Sequence, residues 1–318
     1  MNCHPIRVST RAVPFRWLRR LRGVAPGLLL APLLVMALGF AGAAHAEKRI
    51  VLIGGPKSHG PAEHDYPNAI RMFAAWLKAS PDVQGAGAAV ESYPEGWPAD
   101  PRALDRASTI VLYLDAIDDD GVWIHPLLDE ARATAFRAQI RRGAGLVMVH
   151  QAFTVPPDRR LDWLADALGA IREGQADRTD ETVRFSPPAH PVTRGLSAFD
   201  VTGEFYPTIR FTADPRRLTP LLSGAMHIQV RNNRPAPPGA AVTRTAAWAF
   251  ERSDSGRSFG FSGGHFVDEW QDPNLRRLLV NAVLWSARIE VPAKGATADP
   301  NGAITRQAVR EAHGRSEP

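Results

Sequence analysis

Residues 142–153, Arg-Gly-Ala-Gly-Leu-Val-Met-Val-His-Gln-Ala-Phe, constrain this chain more than any other stretch. A glycine pair leads into a short apolar run, rich in β-branched residues, that stops on His150. An apolar run without polar alternation is the mark of a strand buried on both faces, as in parallel sheets. The residue that ends such a strand stands at the carboxyl edge of its sheet, where open α/β folds bind ligands. Enzymes with a nucleophile elbow hold Ser or Cys at that place. Here it is His150.

The flanking sequence predicts more units of the same kind. Arg49 to Gly55 reads as a first strand, Ala88 to Tyr93 as a second and Ser108 to Asp115 as a third. Between them, Asn68 to Ser80 carries Ile70, Phe73, Ala74, Trp76 and Leu77 at helical spacing. Leu127 to Arg142 reads as a helix opening on acids, and Asp158 to Leu168 as another. This alternation predicts an α/β fold, a doubly wound, mostly parallel sheet with right-handed crossovers. After Gly169 the pattern changes to short β pieces at Glu181–Phe185, Phe199–Glu204 and Ile228–Arg231. A hairpin follows around Asp254-Ser255-Gly256, so the C-terminal portion is predicted to be β-rich. Asp272 to Ala287 closes the domain as a helix, with Trp285 among its apolar positions. Residues 293–318 are polar and poor in bulky apolar side chains, which predicts a disordered tail.

The formal charge of +5 would suggest an acidic partner such as nucleic acid, but its distribution argues otherwise. Residues 1–46 hold six arginines and no acid, so the remainder stands at −1. That removes the electrostatic case for nucleic acid. The same 46 residues predict a secretory signal: a basic stretch to Arg22, an apolar run from Val24 to Ala44, then Ala44-His45-Ala46 before Glu47. The expectations are a periplasmic or secreted protein, a domain over 47–292, and no stable membrane span once the signal is cleaved. Cys3, the only cysteine, falls in the signal. The mature chain therefore excludes cysteine nucleophiles, thiolate metal sites and disulfides.

Of the ten histidines, His4 and His45 fall in the signal and His313 in the tail, leaving seven. His59 and His64 follow the first strand, beside Glu63 and Asp65. His150 ends its own strand, and His265 follows the strand Ser258–Ser262 through Gly263-Gly264. If these strand ends converge, neutral imidazoles with a carboxylate could hold zinc or a similar ion. They could equally bind a sugar by hydrogen bonds or act as acid and base near neutral pH. His125 and His227 are assigned to surface or turn roles, His190 to a turn, and Asp118-Asp119-Asp120-Gly121 to a solvated turn. Trp76, Trp163 and Trp285 are read as core, whereas Trp97, Trp123 and Trp270 are candidates for stacking on a sugar ring. Neither Ser58 nor Ser262 forms a Gly-x-Ser-x-Gly elbow, and no dinucleotide fingerprint or P-loop is present.

These motifs together resemble the ThuA-like (trehalose utilisation) family. The resemblance rests on Gly54–Tyr66, Gly96-Trp97-Pro98, Gly145–His150, His190–Leu196, Gly256–His265 and Asn281–Ala287, in the family's order. It implies a class I glutamine amidotransferase-like, flavodoxin-like fold that lacks the nucleophilic cysteine. It also implies a role in the metabolism of trehalose or of keto-sugars made by a partner sugar oxidoreductase, and for some members a divalent metal. By position, His59, His64, His150, Glu204 and His265 match the family's recurrent polar positions. The chain departs at Gly203-Glu204, where Asp-Glu is common, and at Gln151 and Thr154, where Tyr and a nearby Glu often stand.

The reading is a carbohydrate-processing enzyme and not a glutamine amidotransferase. His59, His150, Glu204 and His265 form its catalytic set, and Glu63, His64, Trp97, Arg194 and Trp270 its substrate-binding set. The competing reading is a non-catalytic sugar-binding module on the same scaffold, a choice fold cannot make.

Overall fold

Why the strand before His150 shows no alternation is plain once its neighbours are in place. The computed structural model describes residues 47–174, 177–212, 214–231 and 233–314. The expected secretory signal lies outside the described residues. In chain order the main strands are β1 (Arg49–Gly54), β2 (Ala89–Tyr93), β3 (Thr109–Tyr113), β4 (Gly145–Val149), β5 (Thr179–Phe185) and β6 (Phe199–Phe205). β7 (Leu218–Met226), β8 (Val242–Glu251) and β9 (Arg257–Phe261) follow. The central sheet runs β7-β8-β9-β4-β3-β1-β2. β2, β1, β3, β4 and β9 are parallel, while β8 and β7 extend the sheet antiparallel.

Helices cover both faces, which is why the parallel strands need apolar residues at every position. On one side Val147 and Val149 of β4 meet α1 (Tyr66–Ala79) and α3 (Pro273–Ser286), in a core that includes Phe73, Trp76, Leu279 and Val283. On the other side Leu146 and Met148 meet Phe136 and Ile140 of α2 (Glu130–Arg141), together with Leu164 and Trp248. Gly145 is required at the start of β4. A Cβ there would stand 2.3 Å from the Ser286 carbonyl oxygen, so any side chain would push α3 off the sheet.

Two sequence expectations are corrected, and one strand has no counterpart among them. The helix read over 158–168 is confined to Leu164–Leu168, because Pro156, Pro157 and a left-handed Arg159 turn the chain first. β7 was not anticipated: Pro220 and a register shift between Pro220 and Leu222 break the alternation that marks a strand. The tail is ordered through most of its described length, as α4 (Ala303–Ala312). Small residues make this possible, since Ala308 and Ala312 are buried and the Ala308 carbonyl accepts a hydrogen bond from Asn68 Nδ2 of α1 at 2.7 Å. Asp299 accepts from the backbone nitrogen of Thr305 at 2.8 Å, holding the entry to the helix. Residues 315–318 lie outside the described residues. Among the described residues no helix is long and apolar enough to cross a membrane.

A histidine cluster at the carboxyl edge of the sheet

The strand order reverses at β1, with β2 on one side and β3 on the other, so the loops leaving β1 and β3 diverge and open a crevice. The β1 loop delivers Ser58, His59, Glu63 and His64, and β3 continues to Asp115. β4 ends on His150 and β9 leads through Ser262 to His265. The antiparallel ribbon β5–β6 closes the far side. In β6, Phe199, Val201, Gly203 and Phe205 turn to the core, so period two places Glu204 and then Tyr206 on the opposite side, facing the crevice.

Three ring nitrogens meet at the centre. His64 Nε2 lies 3.0 Å from His150 Nε2, and His265 Nδ1 lies 3.4 Å from the same atom. Hydrogen bonds on the far side of two rings fix their tautomers. His150 Nδ1 faces the Ser262 carbonyl at 3.1 Å, an acceptor only, so this nitrogen carries the hydrogen and Nε2 a lone pair. His64 Nδ1 faces Asp115 Oδ1 at 3.0 Å and donates to it, which leaves its Nε2 a lone pair as well. Asp115 also accepts from Ser58 Oγ at 2.5 Å and Tyr66 Oη at 2.7 Å. Burial works against its charge, but the hydrogen bonds from His64, Ser58 and Tyr66 prevail and its pKa is lowered.

Two lone pairs 3.0 Å apart repel unless something positive lies between them. Tyr206 Oη donates to His150 Nε2 at 2.9 Å, but one phenol hydrogen cannot serve three nitrogens. Nitrogens held about 2.0–2.1 Å from a tetrahedral zinc would lie roughly 3.3 Å apart, and these lie 3.0 and 3.4 Å apart. His64, His150 and His265 therefore offer a divalent metal three nitrogens within 4.8 Å of one another, with lone pairs fixed on His64 and His150 and both of these spacings near the tetrahedral edge. Burial is the first cause lowering the pKa of His150 well below its ordinary value, with His64 and His265 adding to it. Burial, then His64 and His59, takes His265 down to about 3. Both rings are kept neutral, the form that ligates.

Glu204 Oε1 stands 3.8 Å from both His150 Nε2 and His265 Nδ1. Its other oxygen pairs with Arg178 Nε at 3.3 Å, yet burial outweighs that partner and raises its pKa. Arg172 lies over the Tyr206 ring at 3.8 Å. The cluster opens into a cleft of about 360 Å³, also lined by Glu63, Gln151, Arg178, Asp180 and Asn233. Backbone strain concentrates here as well. His59, His64 and His150 have φ of 64°, 42° and 56°, a left-handed conformation that costs a residue with a Cβ about 1–2 kcal/mol. Such outliers persist where surrounding structure enforces them, typically at functional sites.

The structure brings together His64, His150, His265 and Glu204, with His59 and Glu63 on the rim, where His59 Nδ1 pairs with Asp119 at 3.3 Å. It separates the other three expected residues. Trp270 is 1% exposed and packs edge-on against Phe73, so it is core and offers no stacking face. Trp97 packs near Phe136 on the opposite layer, outside the cleft lining. Arg194 donates to the Val291 carbonyl beneath α3. His125, assigned to a surface or turn, does cap a turn but is buried, with Nδ1 accepting from the Leu127 nitrogen. Sequence reasoning missed Asp115, although it ends a strand just as His150 does. It also missed Tyr206, Arg172 and Arg178, which carry no local signal.

Fold and site together define an α/β protein with a histidine cluster at the carboxyl edge of a mostly parallel sheet and, Cys3 aside, no cysteine. The chain belongs to the ThuA family, described as trehalose utilisation, whose profile matches residues 60–286. It shares its fold with a putative ThuA-like protein from Bacteroides uniformis, at 20% identity and a TM-score of 0.52, over 76% of this chain and 93% of that one. A second, from Parabacteroides merdae, matches at 14% identity and a TM-score of 0.50, over 80% of this chain and 98% of that one. Among curated proteins none matches with significance.

Proposed function

We propose that this protein is exported and acts on a sugar carrying a carbonyl group, by acid–base chemistry at a divalent metal held by His64, His150 and His265. The observation that carries this reading is the convergence of the three ring nitrogens on one point, two of them with fixed lone pairs 3.0 Å apart. Family membership supports a carbohydrate. The sequence of residues 1–46 supports export to the periplasm or beyond.

A bound metal would supply a Lewis acid, polarising the carbonyl and acidifying the adjacent C–H. Asp115 holds the His64 ring in its ligating tautomer. Glu204 is the base placed to take the proton: burial raises its pKa above the usual carboxylate value while Arg178 fixes its orientation. Removal of a proton next to a carbonyl leads to elimination or isomerisation, the reaction classes that suit a keto-glycoside made by a sugar oxidoreductase. Gln151 and Asn233 supply amide groups for hydroxyls along the cleft.

Metal analysis of purified protein, with a turnover screen on 3-keto-glucosides and trehalose, tests the proposal against His150→Ala. Wild type is expected to hold close to one metal ion and turn over a keto-sugar, and the variant to do neither. Equal sugar binding without turnover in either protein would leave only a binding module.

A further inference from the structure

The loop that carries His265 hangs on one buried carboxylate. Glu269 Oε2 accepts from the Gly264 nitrogen at 2.8 Å and Oε1 from the Phe266 nitrogen at 3.1 Å, with the His265 nitrogen also directed at it. Consecutive backbone donors on either side of His265 thus converge on a side chain that is only 6% exposed. The opposite side of the loop is held by the Tyr113 hydroxyl on the Gly264 carbonyl, and by the His64 nitrogen, which donates to the His265 carbonyl at 3.0 Å. Glu269 takes the amides on both sides of His265, while the Val267 nitrogen further along donates to the Ala62 carbonyl at 2.9 Å, so it is Glu269 that holds the direction in which the His265 peptide faces.

The same carboxylate touches the strand end that carries Glu204. A Cβ on Gly203 would lie 2.6 Å from Glu269 Cδ and 2.8 and 2.9 Å from its two oxygens. Gly203 is thus the place where the ribbon approaches closely enough to bring Glu204 within 3.8 Å of the histidines. A carboxylate at this position would meet Glu269 head on, and any side chain would press on it.

We propose that Glu269 is the positioning residue of the histidine cluster, fixing His265 through the Gly264–Phe266 amides and Glu204 through its contact with Gly203. The proposal rests on the metal-binding reading above and goes beyond it, in naming a residue that touches neither metal nor substrate. The chemistry calls for two acceptor oxygens, one for each amide. An amide in its place has one acceptor oxygen and turns an N–H₂ group toward a backbone N–H, so one end of the loop must swing away.

The test is a double-mutant cycle read by affinity for Co²⁺ or Zn²⁺, measured by chelator competition. Glu269→Gln is expected to weaken metal binding about 10–100-fold, the usual effect of losing a group that orients a ligand. In a His265→Ala background the same change should alter affinity less than about 2-fold, since the residue it acts through is gone. A merely structural loss would instead weaken both backgrounds alike, and that would overturn the proposal. So would a Glu269→Gln protein that binds metal as tightly as wild type. Gly203→Ala supplies a second variant that leaves the His265 loop sequence intact; by displacing the Glu269 carboxyl it should weaken metal binding in the same range, and unchanged affinity overturns the role assigned to Gly203. Imidazole ¹⁵N–¹H spectra of the metal-free proteins give a readout that needs no metal. His265 resonances should shift in Glu269→Gln while those of distant His227 stay fixed, and an unmoved His265 overturns the proposal. Wild type that holds no metal would refute the metal reading, leaving the spectra to decide this one.

Discussion

Replacing His125 with glutamine should flatten the protein's response to acid by an amount that can be worked out in advance. His125 is fully enclosed between the β3 loop and the turn that carries His150. Its Nδ1 accepts from the Leu127 nitrogen at 3.1 Å and its Nε2–H donates to the Ala152 carbonyl at 2.9 Å. A second proton on Nδ1 would face the Leu127 N–H, so the native state refuses it, and burial lowers the pKa from 6.5 to about 4. The unfolded chain takes that proton near pH 6.5 and the folded one near pH 4, so the unfolded state binds more protons between these values. Stability contributed by neutral His125 is therefore fully present above about pH 6.5 and is lost as pH falls toward 4. At 1.36 kcal/mol per unit the full loss is about 3 kcal/mol, and about 2 kcal/mol is gone by pH 5. Glutamine can accept from Leu127 and donate to Ala152 but cannot titrate. Urea unfolding of metal-free protein at pH 7.5 and 5.0 should show wild type losing about 2 kcal/mol more than His125→Gln. The other buried histidines titrate equally in both proteins and cancel in the difference. If the two proteins lost stability in parallel, the buried, neutral assignment of His125 would be wrong.

Asp115→Asn should leave the fold intact and weaken metal affinity about 10–100-fold, since the amide no longer enforces the His64 tautomer; isothermal titration with Zn²⁺ measures it. Trp270→Ala should destabilise by about 3–5 kcal/mol with no separate effect on sugar binding, seen by denaturant unfolding alongside a sugar titration. A sugar affinity that falls while stability holds would restore Trp270 as a binding residue. Deleting residues 293–318 should lower the unfolding temperature, because it uncovers Asn68 and the α1 surface beneath Ala308 and Ala312. A deletion with an unchanged melting curve would return the tail to the disordered state its composition suggests.

How much was legible follows from where each signal lies. The β4 run ending on His150 carries its own evidence, because burial on both faces demands an unbroken apolar stretch and the polar residue after it marks the sheet edge. The same logic reaches His64 and His265, each in a loop leaving a strand, and it would have reached Asp115 had the end of β3 been weighed as the end of β4 was. The antiparallel extension was partly visible through the Asp254-Ser255-Gly256 turn, while β7 was hidden by Pro220 and its bulge. Composition misjudged the tail, since alanines pack closely against a helix without raising local hydrophobicity.

By itself the sequence determined the alternation of strands and helices, the family, the absence of any cysteine beyond Cys3, and the strand end on which His150 stands. All of these are properties of residues near one another along the chain. Tertiary structure alone decided that His64 belongs at the centre beside His150 and His59 on the rim, and that Trp270 is core. It also decided that Glu204, Tyr206, Arg172 and Arg178 face the same cleft, from in and around a ribbon far beyond β4 in the chain. Whether a polar side chain is a ligand or a solvated loop residue depends on which strand ends the sheet order brings side by side. That order is set by the packing of helices on both faces of the sheet, to which local spacing is blind.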